Sequence, residues 1–283
     1  MKKGVLFFLI FYAMFSYAKN PSVILEYDTV RTVNCCSVLY SDTTGNEYLR
    51  EFRRLYQLDQ LIADQRSDID KATVILHWAH SKWEHSGGKS SEVDDAFYIL
   101  EKVAEGSRFS CSEFATVFVT AANAVGITAR KVNLKTKDAA TAQSGAGHSL
   151  AEVYLNDMGK WVLFDPQNDL VPFCDSIPLN AYEFKLAINQ HPEKIDYQYK
   201  GNWTTKDFGK QITNWFYPYL YFFDTAFDNR YKSTNAYKCK GNENLILVPL
   251  GEDAPKVFQV YYPLDGYQST HSLADFYQKP VTN

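Results

Sequence analysis

The chain has 283 residues, of which 46% are hydrophobic and 22% charged, enough apolar material for one large core or two small ones. Its net charge of −4 leaves no basic field to hold nucleic acid or an anionic membrane, which excludes nucleic-acid partners. Aromatic residues make up 16% of the chain and many fall in the last third, where they suit core packing or the lining of a groove for peptide or sugar.

The first residues read as an export signal. Lys2 and Lys3 give a positive start, Val5 to Phe15 is an apolar run too short to span a bilayer comfortably, and Ser16-Tyr17-Ala18 offers small residues where a signal peptidase cuts. Residues 1–18 are therefore expected to be a signal peptide, with an uncleaved anchor as the rival reading. The protein beginning near Lys19 is expected to carry no stable membrane span and to be periplasmic, secreted or at the cell surface. Five cysteines follow: Cys35, Cys36, Cys111, Cys174 and Cys239. An odd number in an exported chain leaves at least one free thiol. If that thiol is Cys111, the other four allow three pairings. A vicinal Cys35–Cys36 bridge is strained, so a bridge from one of them to Cys174 or Cys239 is favoured over it, and no bridge at all stands as an equal alternative.

Residues 46–64 read as a helix through Leu49, Phe52, Leu55, Tyr56 and Ile62, completing an N-terminal helical segment over 19–66. Ser67 and Asp70 match a capping box for a second helix. Its stripe is Ile69, Ala72, Leu76, Ala79 and Trp83, and Gly87-Gly88 is expected to end it. A short helix is expected from Asp95 to Ala104. A mostly buried one begins at Ser110 and stops at Gly126. Three strand-like runs come next, Ile127 to Leu134, His148 to Leu155 and Lys160 to Asp165, the last two joined by the turn Asn156-Asp157-Met158-Gly159. Residues 135–147 are expected to be a loop. Beyond Asp165, Asn180 with Glu183 caps a possible helix to about Asn189. Residues 205–223 suggest an aromatic helix interrupted by Pro218, and 244–249 and 256–262 suggest strands. No repeat or linker divides residues 19–283, which read as one elaborated α+β domain.

Chemistry concentrates on three of these residues. Cys111 sits at the start of the buried helix, where backbone N–H groups and the positive end of the dipole favour a thiolate and can hold an oxyanion. If Leu155 faces Lys160 across the turn, Leu150 faces Asp165. His148 and Asp165 then lie on one face of the hairpin as diagonal neighbours, within reach of a His–carboxylate bond. A three-residue turn would break that parity. A carboxylate there fixes the imidazole tautomer and stabilises the imidazolium.

Five segments carry a resemblance in common: Cys111-Ser112-Glu113-Phe114-Ala115, Gly126-Ile127-Thr128-Ala129-Arg130, Gly147-His148, Glu152-Val153-Tyr154-Leu155, and Trp161 with Asp165-Pro166. In this order, and with gaps of 37 and 17 residues between Cys111, His148 and Asp165, they resemble the transglutaminase-like core of papain type. The resemblance covers about residues 67–170, leaving 171–283 as an aromatic-rich C-terminal extension packed on that core. It implies a nucleophile helix on an antiparallel sheet, with Cys111 as nucleophile, His148 as general base and acid, and Asp165 as the orienting residue. The sequence departs from many relatives in having Arg108-Phe109-Ser110, with no Gly, just before the cysteine. Trp78, Trp83, His85 and Gly87 resemble the Trp-rich segment of some bacterial members. Relatives use a Trp or a Gln as second oxyanion donor, so Trp83, His85 and Gln167 are the candidates here. A rival use of the same helix is a metal site built from His77, His80, Glu84 and His85. It has no HExxH pattern, and no metal or other cofactor is expected.

The expected activity is thiol-dependent acyl transfer on amide bonds of a protein or peptide substrate, ending in hydrolysis or in transamidation. The alternative is a non-catalytic peptide- or glycan-binding module that keeps the fold.

Overall fold

The computed structural model describes residues 25–32 and 36–282. The export signal over 1–18 and Cys35 lie outside the described residues. No helix among the described residues is long and apolar enough to cross a membrane.

The fold is α+β. Its centre is a six-stranded sheet whose strands run, in spatial order, Tyr267–Thr270, Asn244–Leu247, Phe222–Ala226, Ala129–Lys135, Gly147–Leu155 and Lys160–Phe164. All neighbours are antiparallel except the first pair. Residues from beyond position 200 thus supply half of the strands and join the sheet at Ala129–Lys135, where Leu134 pairs with Phe223. A second, four-stranded sheet is built on Leu170–Cys174 and Ile195–Tyr199.

Side-chain alternation gives the central sheet two apolar faces. Ala129, Ala151, Val153, Leu155, Val162 and Phe164 form one core with the helices α1 (Glu47–Leu55), α2 (Leu58–Ile62), α3 (Asp68–His80), α4 (Ala96–Ala104) and α5 (Cys111–Ala124). Val132, Leu134, Leu150, Tyr154, Trp161 and Leu163 point the other way. They pack under α6 (Ala181–Gln190), α7 (Lys206–Phe216) and α8 (Leu273–Phe276). On this second face Arg130, fully buried, donates to Glu152 at 2.7 Å and to the Phe276 carbonyl at 2.7 Å, and its guanidinium lies 4.3 Å from the Trp161 ring centroid.

Four local expectations change. The helix expected over 46–64 breaks into α1 and α2, because Gln57 takes a left-handed conformation (φ 52°) between them. The helix that starts at Ser67 ends at His80, ahead of Gly87-Gly88. Its last turn tightens as Lys82 N–H donates to the Ala79 carbonyl, and Trp83 turns its ring back into the core. The aromatic helix expected over 205–223 stops at Phe216, passes through a single 3₁₀ turn containing Pro218, and becomes the strand Phe222–Ala226. Likewise 256–262 is a two-residue pairing of Val257–Phe258 with Tyr262–Pro263, turned by Gln259 and Val260 at positive φ.

Cys36 is joined to Cys239 by a disulfide, one of the pairings the cysteine pattern leaves open, with Cα atoms 5.4 Å apart; Cys111 and Cys174 are free thiols. The segment after Cys36 runs as the strand Leu39–Tyr40 between Asp228–Asn229 and Val281–Thr282, bringing it and the last described strand to one corner.

Candidate active site

Ser110 caps α5. The Glu113 carboxylate accepts from the Ser110 N–H at 3.2 Å and from its hydroxyl at 2.9 Å, closing a capping box, and also takes the Ser91 N–H at 2.9 Å. Cys111 is therefore the first helical residue, with its side chain at the mouth of the helix rather than within the core; it is half-buried. The Ser149 N–H donates to its Sγ at 3.5 Å.

The hairpin that carries His148 has Leu155 opposite Lys160 and Ala151 opposite Phe164, which extends to Leu150 opposite Asp165. His148 and Asp165 accordingly share a face, and His148 Nε2 lies 2.9 Å from Asp165 Oδ2. Both are buried. The other ring nitrogen is left for the sulfur, and the Cys111 and His148 side chains are close enough for each to shift the proton affinity of the other. The three candidate residues are thus brought together.

Asp165 is held from every side. Its Oδ1 accepts from the Gln167 N–H (3.1 Å) and the Asn168 N–H (3.3 Å), and its Oδ2 accepts from Asn168 Nδ2 (2.7 Å) as well as from His148. Reciprocal backbone bonds between Asp165 and Leu170, at 2.9 and 3.1 Å, close the turn that bears it.

The electrostatics follow from this geometry. Burial disfavours a charged His148, but the Asp165 carboxylate, by its charge and its hydrogen bond, and then the Cys111 sulfur outweigh it and push the imidazole up to about 10. Burial would likewise raise the Cys111 thiol. The hydrogen bond and charge of His148 and the Ser149 N–H overcome this and hold it below the ordinary thiol value. Both shifts favour a thiolate–imidazolium pair.

The three oxyanion candidates fare differently. Trp83 is corrected: its indole N–H donates to the Phe109 carbonyl at 3.3 Å and its ring stacks on Phe114 at 4.0 Å, so its donor is spent inside the core. His85 lies at the surface, close enough to His148 and Asp165 to feel both charges; partial desolvation and the His148 charge lower its affinity for a proton. Gln167 contributes its backbone, the N–H to Asp165 and the carbonyl to His80 Nδ1 at 3.0 Å. The residues considered for a metal also disperse. His77 pairs with Asp169, His80 with the Gln167 carbonyl, and Glu84 with Arg108 at 2.6 Å.

Residues from the C-terminal third complete the surroundings. The rings of Trp215, Phe216 and Tyr219 stand 5.0, 5.8 and 6.1 Å from the His148 ring, the first two edge-on. Burial and the nearby Cys111 raise the Tyr219 phenol. These aromatics are absent from the residues nominated by sequence. The only sequence signal was the aromatic bias of 205–223, which does not say what it faces. On the flank of α5 a polar cavity of about 490 Å³ opens between Ser112, Thr116, Lys131, Asn133 and Tyr231; its Lys131 is paired with Asp94 at 3.0 Å.

Residues 57–166 match the model of the transglutaminase-like superfamily. Among solved structures, the chain is similar to a presumed cysteine protease from Cytophaga hutchinsonii, at 15% identity and a TM-score of 0.35, over 56% of this chain and 50% of that one. It is also similar to a presumed protease from Parabacteroides distasonis, at 9% identity and a TM-score of 0.30, over 56% of this chain and 29% of that one. The chain thus spans half the length of the first of these and under a third of the second. No curated protein matches it.

Proposed function

Because residues 57–166 of this chain belong to the transglutaminase-like superfamily, we propose that it is a thiol-dependent acyl-transfer enzyme acting on amide bonds of peptide or protein substrates, with hydrolysis as the outcome. The observation that carries this is one constellation: a half-buried sulfur at the mouth of α5, electrostatically coupled to an imidazole whose Nε2 lies 2.9 Å from a buried carboxylate.

The Cys111 thiolate attacks the amide carbonyl carbon. The first N–H groups of α5, which have no carbonyl partner within the helix, face the oxyanion as it forms. The C–N bond breaks as the His148 imidazolium gives its proton to the leaving amine, and a thioester remains on Cys111. His148, now neutral, takes a proton from water, which attacks the thioester. The C–S bond breaks, and the acid departs as the thiolate–imidazolium pair is restored. Asp165 holds the ring in place through both halves and is not itself protonated. An amine in place of water in the second half would give transamidation. The Cys36–Cys239 bridge supports action in an oxidising compartment outside the cytoplasm.

Alkylation by iodoacetamide tests this without knowledge of the substrate. Cys111 is expected to react at a pH well below that of an ordinary thiol, and Cys174, whose thiol burial pushes up, serves as the comparison in the same molecule. Turnover of any peptide amide found should vanish in Cys111→Ala. It should fall on the acid side as the depressed thiol protonates and on the alkaline side as His148 loses its proton near pH 10. A Cys111 that titrates alongside Cys174 would remove the catalytic reading.

A further inference from the structure

Two histidines of α3 do work that the reaction above does not use. They stand three residues apart, so they project from one face of the helix, and both reach the same six-residue turn, Asp165 to Leu170. His80 Nδ1 lies 3.0 Å from the Gln167 carbonyl oxygen. A carbonyl only accepts, so Nδ1 carries the proton and the tautomer is fixed. His77 Nδ1 pairs with the Asp169 carboxylate, which is 3% exposed and sits on a backbone in the left-handed region (φ 49°). The same turn presents the Gln167 and Asn168 N–H groups to Asp165.

The other side of this contact leads to the nucleophile. The His80 ring stacks on Phe114, with centroids 6.3 Å apart and planes at 29°. Phe114 lies in the first turn of α5 and also stacks on Trp83 at 4.0 Å. One imidazole therefore touches both the turn that bears Asp165 and the helix turn that bears Cys111. These two parts of the site come from segments more than fifty residues apart, with only non-covalent contacts to set their spacing. An error of about 1 Å in that spacing is worth about 100-fold in rate.

We propose that His77 and His80 form a latch that fixes the Asp165–Leu170 turn against the first turn of α5, making both histidines positioning residues for the Cys111–His148 pair. The inference rests on Cys111 being the nucleophile. His80 sets the distance between the two segments, and His77 holds the strained end of the turn through Asp169. Neither touches the reacting atoms.

The test is the pH dependence of Cys111 alkylation by iodoacetamide in the full chain, followed by intact mass and peptide mapping, with thermal unfolding recorded for each variant. In His80→Leu and His77→Leu, slack in Asp165 weakens its hold on the imidazolium. The Cys111 midpoint is expected to rise by about one pH unit and the neutral-pH rate to drop about tenfold. His80→Asn and His77→Asn keep an amide nitrogen at the position of Nδ1 and are expected to stay within about twofold of the parent. Should the leucine variants fail to fold, His80→Gln takes their place. It extends the amide past the Nδ1 position and should show the same rise. Cys174 alkylation should be unchanged throughout. Folded leucine variants with the parental midpoint, or asparagine variants as impaired as the leucine ones, would overturn the latch. A parent protein whose Cys111 titrates as an ordinary thiol would instead overturn the catalytic reading beneath it.

Discussion

Replacing Asp165 with Asn is expected to cut both turnover and the neutral-pH alkylation of Cys111 by about 10²–10⁴-fold while leaving the fold intact. Four donors converge on this carboxylate: two backbone N–H groups at Oδ1, and His148 Nε2 with Asn168 Nδ2 at Oδ2. An amide can turn its oxygen to one pair only, and its NH₂ then points at the other. With the oxygen toward the backbone, the NH₂ faces His148. The ring must then accept at Nε2 and hold its proton on Nδ1, against the sulfur, where a neutral imidazole does not stabilise the thiolate. The charge that lifts His148 to about 10 is lost in either orientation. The alkylation midpoint of Cys111 should move up toward the ordinary thiol range, and an unmoved midpoint would show that Asp165 does not govern the pair.

The largest expected effect on stability lies elsewhere. Arg130→Met should destabilise the protein by about 3–5 kcal/mol, measured by denaturant unfolding, because it strands the carboxylate of the fully buried Glu152. Glu152 keeps the Ala181 N–H (3.0 Å) and the Tyr277 hydroxyl (3.2 Å), neither of which carries charge. The Phe276 carbonyl loses its donor at the same time. The methionine fills much of the volume against Trp161 and Phe276, so the loss is electrostatic rather than a cavity. Arg130→Met combined with Glu152→Gln should recover part of it, since no buried ion is then left alone.

What could be read in advance, and what could not, divides by the range of the interactions involved. The apolar run that opens at Ser110 announces a helix start, and that puts Cys111 at the mouth of α5, where the structure adds a capping box between Ser110 and Glu113. The four-residue turn between Leu155 and Lys160 sets the pairing of its hairpin, and side-chain alternation then delivers His148 and Asp165 to one face. These are local rules. Trp215 and Tyr219 reach His148 only because Phe222–Ala226 pairs with Ala129–Lys135, a register joining segments about ninety residues apart that no periodicity encodes. His77 and His80 are a related case. Their spacing was legible as one helical face and was equally open to a metal reading. Their partners, Asp169 and the Gln167 carbonyl, depend on how a turn from another sheet lands on α3. Trp83 shows the converse error. A family habit suggested an indole donor, but α3 ends at His80 and the chain turns that indole onto the Phe109 carbonyl.

The edge-on approach of Trp215 to His148, 5.0 Å between centroids, also equips the molecule with an optical gauge. A protonated imidazole in contact with an indole quenches its fluorescence, and a neutral one does so far less. Of the five tryptophans, Trp215 is the one whose brightness should track the His148 proton, dim through neutral pH and brightening as the solution approaches pH 10. Trp215→Phe should abolish that rise and Asp165→Asn should bring it to lower pH, so the charge state of the ring can be followed by light alone, before any substrate is known.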